Sequence, residues 1–101
     1  MRGRDEKAMW LEILSLRAVG KAEKDAALAL FRSVETSLAA TRPSFHLFQN
    51  ARLEYDLSLH LYWGSESGAV AESALGLRLA EALRSFGLVH HTVWIPERGQ
   101  G

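Results

Sequence analysis

The sequence has no cysteine among its 101 residues. Disulfide bonds, thiol catalysis and cysteine-ligated metals are therefore excluded, and the absence fits the cytoplasmic localisation that we expect. Neither sign of charge is in excess, because 12 basic residues balance 12 acidic ones. A dedicated nucleic-acid binder needs a basic surface, so we expect no nucleic-acid partner. Since no apolar run is long enough to cross a bilayer, we also expect no membrane partner.

Proline is scarce as well, with two residues in the chain. Pro43 prevents a preceding helix from continuing, and Pro96 stops a strand. Hydrophobic residues make up 48% of the sequence, which argues against a disordered protein. We expect one domain over residues 1–101, with its core at about 9–95 and flexible ends at 1–8 and 97–101.

The most regular feature that is present is an unbroken alternation of apolar and polar residues over 53–63. A strand points successive side chains to opposite faces, so the alternation predicts a half-buried β-strand. Its apolar face consists of Leu53, Tyr55, Leu57, Leu59, Leu61 and Trp63. Its polar face consists of Glu54, Asp56, Ser58, His60 and Tyr62. The first face belongs to the core, and the second needs a cover or contacts water.

Changes in hydrophobic period place the other elements. They are a strand at 10–19, a helix at 22–40, a strand at 44–50, a hairpin turn at 50–52, a loop at 64–68, a helix that starts between Ala69 and Ser73, and a strand at 88–95. The strand at 10–19 is apolar on much of both faces, which predicts a central position. Gly87 is predicted to cap the second helix, and Gly76 to serve packing.

The order β-α-β-β-α-β predicts an α+β, ferredoxin-like fold. In this arrangement the antiparallel sheet has the strand order 4-1-3-2, and both helices cover one face. The register of the hairpin stays open at this point, since either His46 and Phe48 or Phe45 and Leu47 could face the helices. We favour Phe45 and Leu47, because they give the helices two more large apolar side chains.

The face without helices, here called the open face, combines polar and apolar side chains. Its predicted members are Ile13, Ser15, Arg17, Phe48, Asp56, Ser58, His60, Tyr62, His90, Thr92 and Trp94. A contiguous patch with this mixture is typical of an interface or a pocket. We therefore predict a homodimer through the open face, which adds buried area to a small domain and leaves a cavity between sheet and loops.

Three side chains of the alternating strand form the sharpest candidate site. His60 is a candidate general base near neutral pH, and Asp56, with Ser58 between them, is a candidate for orienting it. The alternative is that these residues form the polar side of a half-exposed strand, or hydrogen bonds across a dimer. Candidate contacts for a small aromatic ligand are Phe48, Ser58, Tyr62, Trp63 and Trp94, although Trp63 equally suits the core.

Other kinds of site receive less support. The four histidines, His46, His60, His90 and His91, show no helical ligand spacing, and the adjacent pair points to opposite faces of a strand. We therefore predict no metal site and no cofactor. An RNA-binding sheet would need basic and aromatic residues where Glu54 and Asp56 stand.

Two stretches carry a family resemblance. Residues 44–50 (SFHLFQN) precede the long strand, and Trp63-Gly64-Ser65-Glu66 forms its exit. Together these stretches resemble the antibiotic biosynthesis monooxygenase-like family of dimeric α+β barrels. The turn and helix start at 20–23 (GKAE) also fit this family. The resemblance implies a homodimer with a pocket between helices and sheet. Some members oxidise phenolic polycyclic substrates with molecular oxygen and no cofactor, and others degrade haem.

The chain departs from the family at one position. Members often carry a histidine early in the second helix, and residues 72–86 contain none. Two hypotheses follow. The first is a cofactor-independent monooxygenase-like enzyme acting on an aromatic metabolite, with His60 as base, Asp56 orienting it, and Phe48, Tyr62 and Trp63 shaping the pocket. The second is a non-catalytic homodimeric module that binds a ligand or a protein.

Overall fold

The computed structural model describes residues 9–37, 43–64 and 70–97. Its elements in chain order are β1 (Trp10–Ala18), α1 (Lys21–Ser37), β2 (Ser44–Gln49), β3 (Asp56–Trp63), α2 (Ala74–Leu83) and β4 (Gly87–Trp94). The strands form one sheet in the order β2-β3-β1-β4, with every neighbouring pair antiparallel. The predicted ferredoxin-like topology, with its strand order 4-1-3-2, is therefore confirmed.

The core lies between the sheet and the two helices. Alternate residues of β1 and β3 face the helices, and Leu14, Leu59 and Leu61 have no exposed surface. From the helices, Phe31 and Leu83 reach the same cluster and are at most 1% exposed. Burial of these side chains on one face confirms that both helices cover that face, and it contributes hydrophobic stabilisation.

The register of the β2–β3 hairpin agrees with the favoured alternative. Phe45 lies opposite Leu61 in the ladder and shares its face, and its ring meets that of Phe31 edge-on with centroids 6.4 Å apart. Leu47 shares this face but is 36% exposed, because β2 is an edge strand. His46 and Phe48 consequently lie on the open face.

The predicted start of the long strand at residue 53 is wrong, because β3 begins at Asp56. The Asn50 side chain accepts hydrogen bonds from the backbone N–H groups of Arg52 and Leu53, at 2.8 and 3.0 Å. These bonds replace ladder bonds and build a turn, which leaves Leu53 48% exposed. Local side-chain chemistry therefore prevails over the alternating pattern at this end of the strand.

The helices also differ in detail from the prediction. α1 ends at Ser37 among the described residues, and the predicted extension over 38–40 lies outside them, as do most of the predicted loop at 64–68 and the ends at 1–8 and 98–101. α2 begins at Ala74 with Ser73 as its N-cap, next to the predicted start. No helix within the part of the chain that the structure describes is long and apolar enough to cross a membrane.

The prediction that Gly87 caps α2 is wrong. The helix ends at Leu83 with Arg84 as its C-cap, and Gly87 is the first residue of β4. Gly87 lies opposite Ala18, and a Cβ atom added to it would lie 2.0 Å from the backbone oxygen of Arg17. Glycine is required here by the close approach of β4 to β1 rather than by the end of a helix.

Candidate functional site

An aromatic and imidazole cluster occupies the open face of β2 and β3. His46 lies directly across from His60, and Phe48 directly across from Ser58. The ring centroids of Phe48 and His60 are 4.6 Å apart, and those of His46 and Tyr62 are 5.3 Å apart in an edge-on contact. Strand pairing therefore brings together four of the predicted site residues, namely Phe48, Ser58, His60 and Tyr62.

The contacts of the His60 imidazole favour one neutral tautomer. Its Nε2 lies 3.0 Å from the Ser58 hydroxyl, whereas its Nδ1 is buried and, among the described residues, has no hydrogen-bond partner. A proton on Nδ1 would be a buried donor without an acceptor, which is costly. The favoured tautomer therefore carries its proton on Nε2 and leaves a lone pair on Nδ1. Burial, and secondarily the charge of nearby His46, lowers the pKa of His60 and favours the neutral form.

Asp56 does not contact His60 as the sequence suggested. Its carboxylate accepts hydrogen bonds from Nε and Nη2 of Arg17, each at 3.2 Å from the nearest oxygen. Arg17 lies opposite Asp56 on β1, so the ladder itself creates this ion pair. The partner that the structure gives His60 is Ser58 instead. A depression of about 410 Å³ on the open face is lined by Arg17, Asp56, Phe48 and Ser58, among others, and His60 does not line it.

The two remaining predicted contacts lie apart from this cluster. Trp63 faces the helices, stacked on Trp10 with ring centroids 5.7 Å apart. Trp94 lies on the open face, but on β4, two strands away from β3. It is 55% exposed, and its indole N–H donates to the Thr92 hydroxyl at 2.9 Å. Because Trp63 faces the helices and His60 lies on the open face, the sheet separates these two side chains.

Sequence reasoning missed a second polar cluster, on the helix side of the sheet. Glu12 has no exposed surface, although it is charged. Its Oε1 accepts hydrogen bonds from Trp63 Nε1 at 2.9 Å and from the Ser73 hydroxyl at 2.7 Å. Its Oε2 accepts from the Ser73 backbone N–H at 2.9 Å and is 2.5 Å from His91 Nε2. The available signal was a single acid in the otherwise apolar parity of a central strand.

Electrostatics in this cluster favour an ionised carboxylate. Burial alone would raise the pKa of Glu12, but the hydrogen bonds from Ser73, His91 and Trp63 outweigh it and lower the pKa below its ordinary value near 4.5. A negative charge at zero exposure is thus compensated by four donors, which is the condition for burying an ion at tolerable cost.

Metal binding receives no support from the described residues. Within residues 9–37, 43–64 and 70–97, no group of three or more His, Asp or Glu side chains is placed to hold a metal ion. The open-face histidines lie on neighbouring strands, but Ser58 already bonds Nε2 of His60.

Comparisons with known proteins agree with the fold. No family model and no curated protein matches the sequence. A solved structure of a candidate antibiotic biosynthesis monooxygenase from Nitrosomonas europaea is similar, with 17% identity, 94% of this chain and 96% of that chain covered, and a TM-score of 0.64. The resemblance to antibiotic biosynthesis monooxygenase-like proteins is thereby confirmed at the level of the fold.

Two further similar structures are oxygenases of Streptomyces. A variant of SnoaB, a cofactor-independent oxygenase from Streptomyces nogalater, shares 16% identity over 90% of this chain and 95% of that chain, with a TM-score of 0.59. A monooxygenase from Streptomyces coelicolor, solved with nanaomycin D, shares 15% identity over 96% of this chain and 95% of that chain, with a TM-score of 0.59.

Proposed function

We propose that this protein is a homodimeric, monooxygenase-like enzyme that oxidises an aromatic metabolite with molecular oxygen and without a cofactor. The observation that carries the proposal is the His60 imidazole on the open face, which is hydrogen-bonded to Ser58 through Nε2 and packed beside the Phe48 ring. The similarity of the fold to a cofactor-independent oxygenase and to a monooxygenase solved with nanaomycin D supports the same reaction class.

The chemistry requires a base rather than a redox group. His60 takes the proton of a phenolic hydroxyl, and the resulting phenolate is electron-rich enough to reduce molecular oxygen. At a ring CH2 group, one oxygen atom enters as a carbonyl and the other leaves as water with the two hydrogens. All four electrons come from the substrate. Positioned proton transfer of this kind contributes typically about 10²–10⁴-fold to a rate.

The neighbouring side chains have supporting roles in this proposal. Phe48 and Tyr62 offer ring faces to a flat substrate, and Ser58 fixes the orientation of the imidazole. Asp56 holds Arg17 at the rim of the depression. Trp63 takes no part in this site, because it lies on the other face of the sheet.

The proposed dimer forms through the open face. Phe48 and Trp94 are 49% and 55% exposed there, which is unusual for large aromatic side chains on one face of a sheet. A second copy that covers this face would bury both rings, exclude water from His60, and enclose the depression. The base would then act in a drier environment, where its interactions are stronger.

Oxygen uptake tests the enzyme proposal. Purified protein is mixed with a tricyclic phenol that has a CH2 group in its central ring, and oxygen consumption is followed with an electrode. We expect the protein to consume one oxygen molecule per carbonyl formed. The rate of consumption should fall about a hundredfold in His60→Gln. Arg78→Gln, on the exposed surface of α2, is the control and is expected to keep the wild-type rate. Equal rates in His60→Gln and the wild type would refute His60 as the base.

A non-catalytic homodimeric binding module is the second candidate. The family resemblance places a pocket between helices and sheet, but Leu14, Phe31 and Leu83 pack there with at most 1% exposure. This filled core favours a protein without a catalytic pocket. α2 also contains no histidine. A dimer that consumes no oxygen with any tricyclic phenol, yet binds nanaomycin D with quenching of tryptophan fluorescence, would establish this candidate instead.

A further inference from the structure

We propose that the open face is a pH-dependent self-association surface, on which His46, His60 and His90 must be neutral for two copies of the chain to stay paired. This regulation rests on the homodimer proposed above, but it does not require that His60 act as a base. Mild acid would convert the dimer into folded monomers, and a return to neutral pH would restore it.

With neutral histidines, the open face carries no net charge. Arg17 and Asp56 neutralise each other, because Nη2 of Arg17 lies 3.2 Å from Oδ2 of Asp56. A phenol such as that of Tyr62 is uncharged near neutral pH. Among the described residues of the four strands, the other ionisable side chains on this face are His46, His60 and His90. Such a balance suits a second, identical face, since a two-fold contact places equal surfaces together without like-charge repulsion.

Histidines are concentrated on this face. It holds three of the four histidines of the chain. His46 lies directly across from His60 in the ladder, and His90 lies opposite Ser15 at the lining of the depression. Histidine is the side chain whose charge ordinarily changes between about pH 5 and 8. A two-fold interface would thus contain three such groups from each copy, all of which acquire the same charge in acid.

The surroundings of His60 offer no compensation for a positive charge. Its near neighbours among the described residues are the Ser58 hydroxyl and the rings of Phe48, Tyr62 and His46. Both oxygens of the Asp56 carboxylate on the same strand already accept hydrogen bonds from Arg17. A second proton would occupy the buried Nδ1, which has no acceptor within the described parts of the chain.

Protonation and association therefore oppose each other. Burial, and then the charge of His46, already lowers the pKa of His60 in a single copy. A covering partner would add to the burial, so the dimer binds protons less readily than the monomer and weakens as the pH falls. In the proposed reaction, by contrast, the imidazolium would lie beside a phenolate, which supplies the anion that acid alone does not.

The first test compares wild-type protein at about pH 8 and about pH 5.5 by analytical ultracentrifugation. We expect the dissociation constant of the dimer to be at least about tenfold higher at the acidic pH, as for one proton released on association per pH unit. Circular dichroism should show the same folded spectrum at both values, because the stabilisation by Glu12 is fully present above pH 4.5.

The second test removes the titrating groups. The triple variant His46→Gln, His60→Gln and His90→Gln keeps polar side chains but cannot take up these protons, so its dimer should be equally strong at both pH values. His91→Gln is the control, because His91 bonds Glu12 on the helix side of the sheet and a glutamine amide can still donate there. This control should retain the pH dependence of the wild type.

A third measurement needs no variant, and it decides the matter if the triple variant fails to fold or to associate. Wild-type dimer is diluted in a calorimeter at about pH 6, in two buffers with different enthalpies of ionisation. The difference between the two heats gives the number of protons bound on dissociation. We expect a net uptake of protons by the separating chains.

The outcomes separate this regulation from the proposals on which it is built. A wild-type dimer that is equally strong at both pH values, or that takes up no protons on dissociation, would overturn the regulation and leave the dimer standing. Full pH dependence in the triple variant would also overturn it. A wild type that is monomeric at both pH values would overturn the regulation together with the dimer, whereas oxygen uptake tests the enzyme separately.

Discussion

Glu12 shows how one residue can connect distant parts of this chain. The residues that donate to its carboxylate lie 51, 61 and 79 positions away in sequence. Removing one partner of a buried, hydrogen-bonded charge costs more than the net contribution of the intact arrangement, because the other groups are left unpaired. Stability and its pH dependence should therefore be unusually sensitive at this position.

Acid should weaken the fold through Glu12. The folded-state pKa of Glu12 lies below its ordinary value near 4.5, so the unfolded chain binds protons more readily. The stabilisation is fully present above pH 4.5 and is lost as the pH falls through the lower, folded-state pKa. Urea unfolding should show that Glu12→Gln is less stable than the wild type at neutral pH, and that the difference narrows on acidification.

The exposed Glu81 provides the matched control for this measurement. Among the described residues it pairs with Arg84 on the helix surface, so Glu81→Gln should stay within about 0.5 kcal/mol of the wild type. A difference between Glu12→Gln and the wild type that stays constant from neutral to acidic pH would contradict the account of Glu12.

Gly76→Ala should destabilise the protein, although alanine favours helices. The added methyl group would clash with the Glu12 carboxylate and with His91 Nε2, and overpacking of this kind costs about 1–3 kcal/mol. Gly20→Ala is the control, because its methyl group would meet only the end of the Glu23 side chain, at 3.2 Å. Equal unfolding free energies for the two variants would show that the Glu12 cluster can move aside.

At the scale of elements, the start of α2 depends on two functions of Ser73. Its hydroxyl oxygen accepts a hydrogen bond from the Gly76 backbone N–H at 2.8 Å as an N-cap, while the same hydroxyl donates to Glu12. The helix is thus attached to β1 at its first turn. Within the described parts of the chain, the sheet side chain that bonds this cap is Glu12, which is also the most deeply buried acid.

Ser73→Ala should cost about 1–2 kcal/mol in unfolding free energy, the range of a lost N-cap. Thr36→Ala is the matched control, since the Thr36 hydroxyl is exposed and only donates back to the Arg32 carbonyl within α1. We expect a change of less than about 0.5 kcal/mol for that variant. Chemical denaturation followed by circular dichroism measures both, and a similar cost for the two would contradict the special role of Ser73.

The elements also show what sequence patterns can and cannot predict. Alternation and helical spacing depend only on neighbours in sequence, and they predicted the element order, the strand order and the hairpin register. The start of β3 was wrong because the Asn50 side chain binds backbone N–H groups that the pattern ignores. Gly87 was misassigned because the contact that requires glycine comes from Arg17, on another strand.

In the candidate sites, too, the sequence pattern predicted which residues share a face but not the contacts between distant strands. The alternation of side chains along β3 predicted that Ser58, His60 and Tyr62 share the open face, because this depends on a single strand. The pairing of Asp56 with Arg17 and the convergence on Glu12 depend on which strands become neighbours and how they are aligned. Such contacts are set by tertiary structure, so they could not be derived from spacing along the chain.

At the scale of the whole molecule, the open face should control assembly. Phe48→Asp would place a charge in the middle of the proposed dimer interface, where an unpaired buried charge is strongly unfavourable. We expect this variant to sediment as a monomer at micromolar concentration in analytical ultracentrifugation, whereas the wild type sediments as a dimer.

Leu53→Asp is the matched control for this experiment. Leu53 is 48% exposed and Phe48 is 49% exposed, but Leu53 lies in the turn before β3. The control should remain dimeric. A monomeric wild type, or a Phe48→Asp variant that stays dimeric, would contradict the proposed interface.

The hydrogen bonds of Glu12 also determine where this chain can accept inserted sequence. Trp63 ends β3 and Ser73 precedes α2, and both donate hydrogen bonds to the Glu12 carboxylate. The entropy of closing a connection rises only slowly with its length. New sequence inserted in the connection between these two anchors should therefore leave the strands and helices aligned.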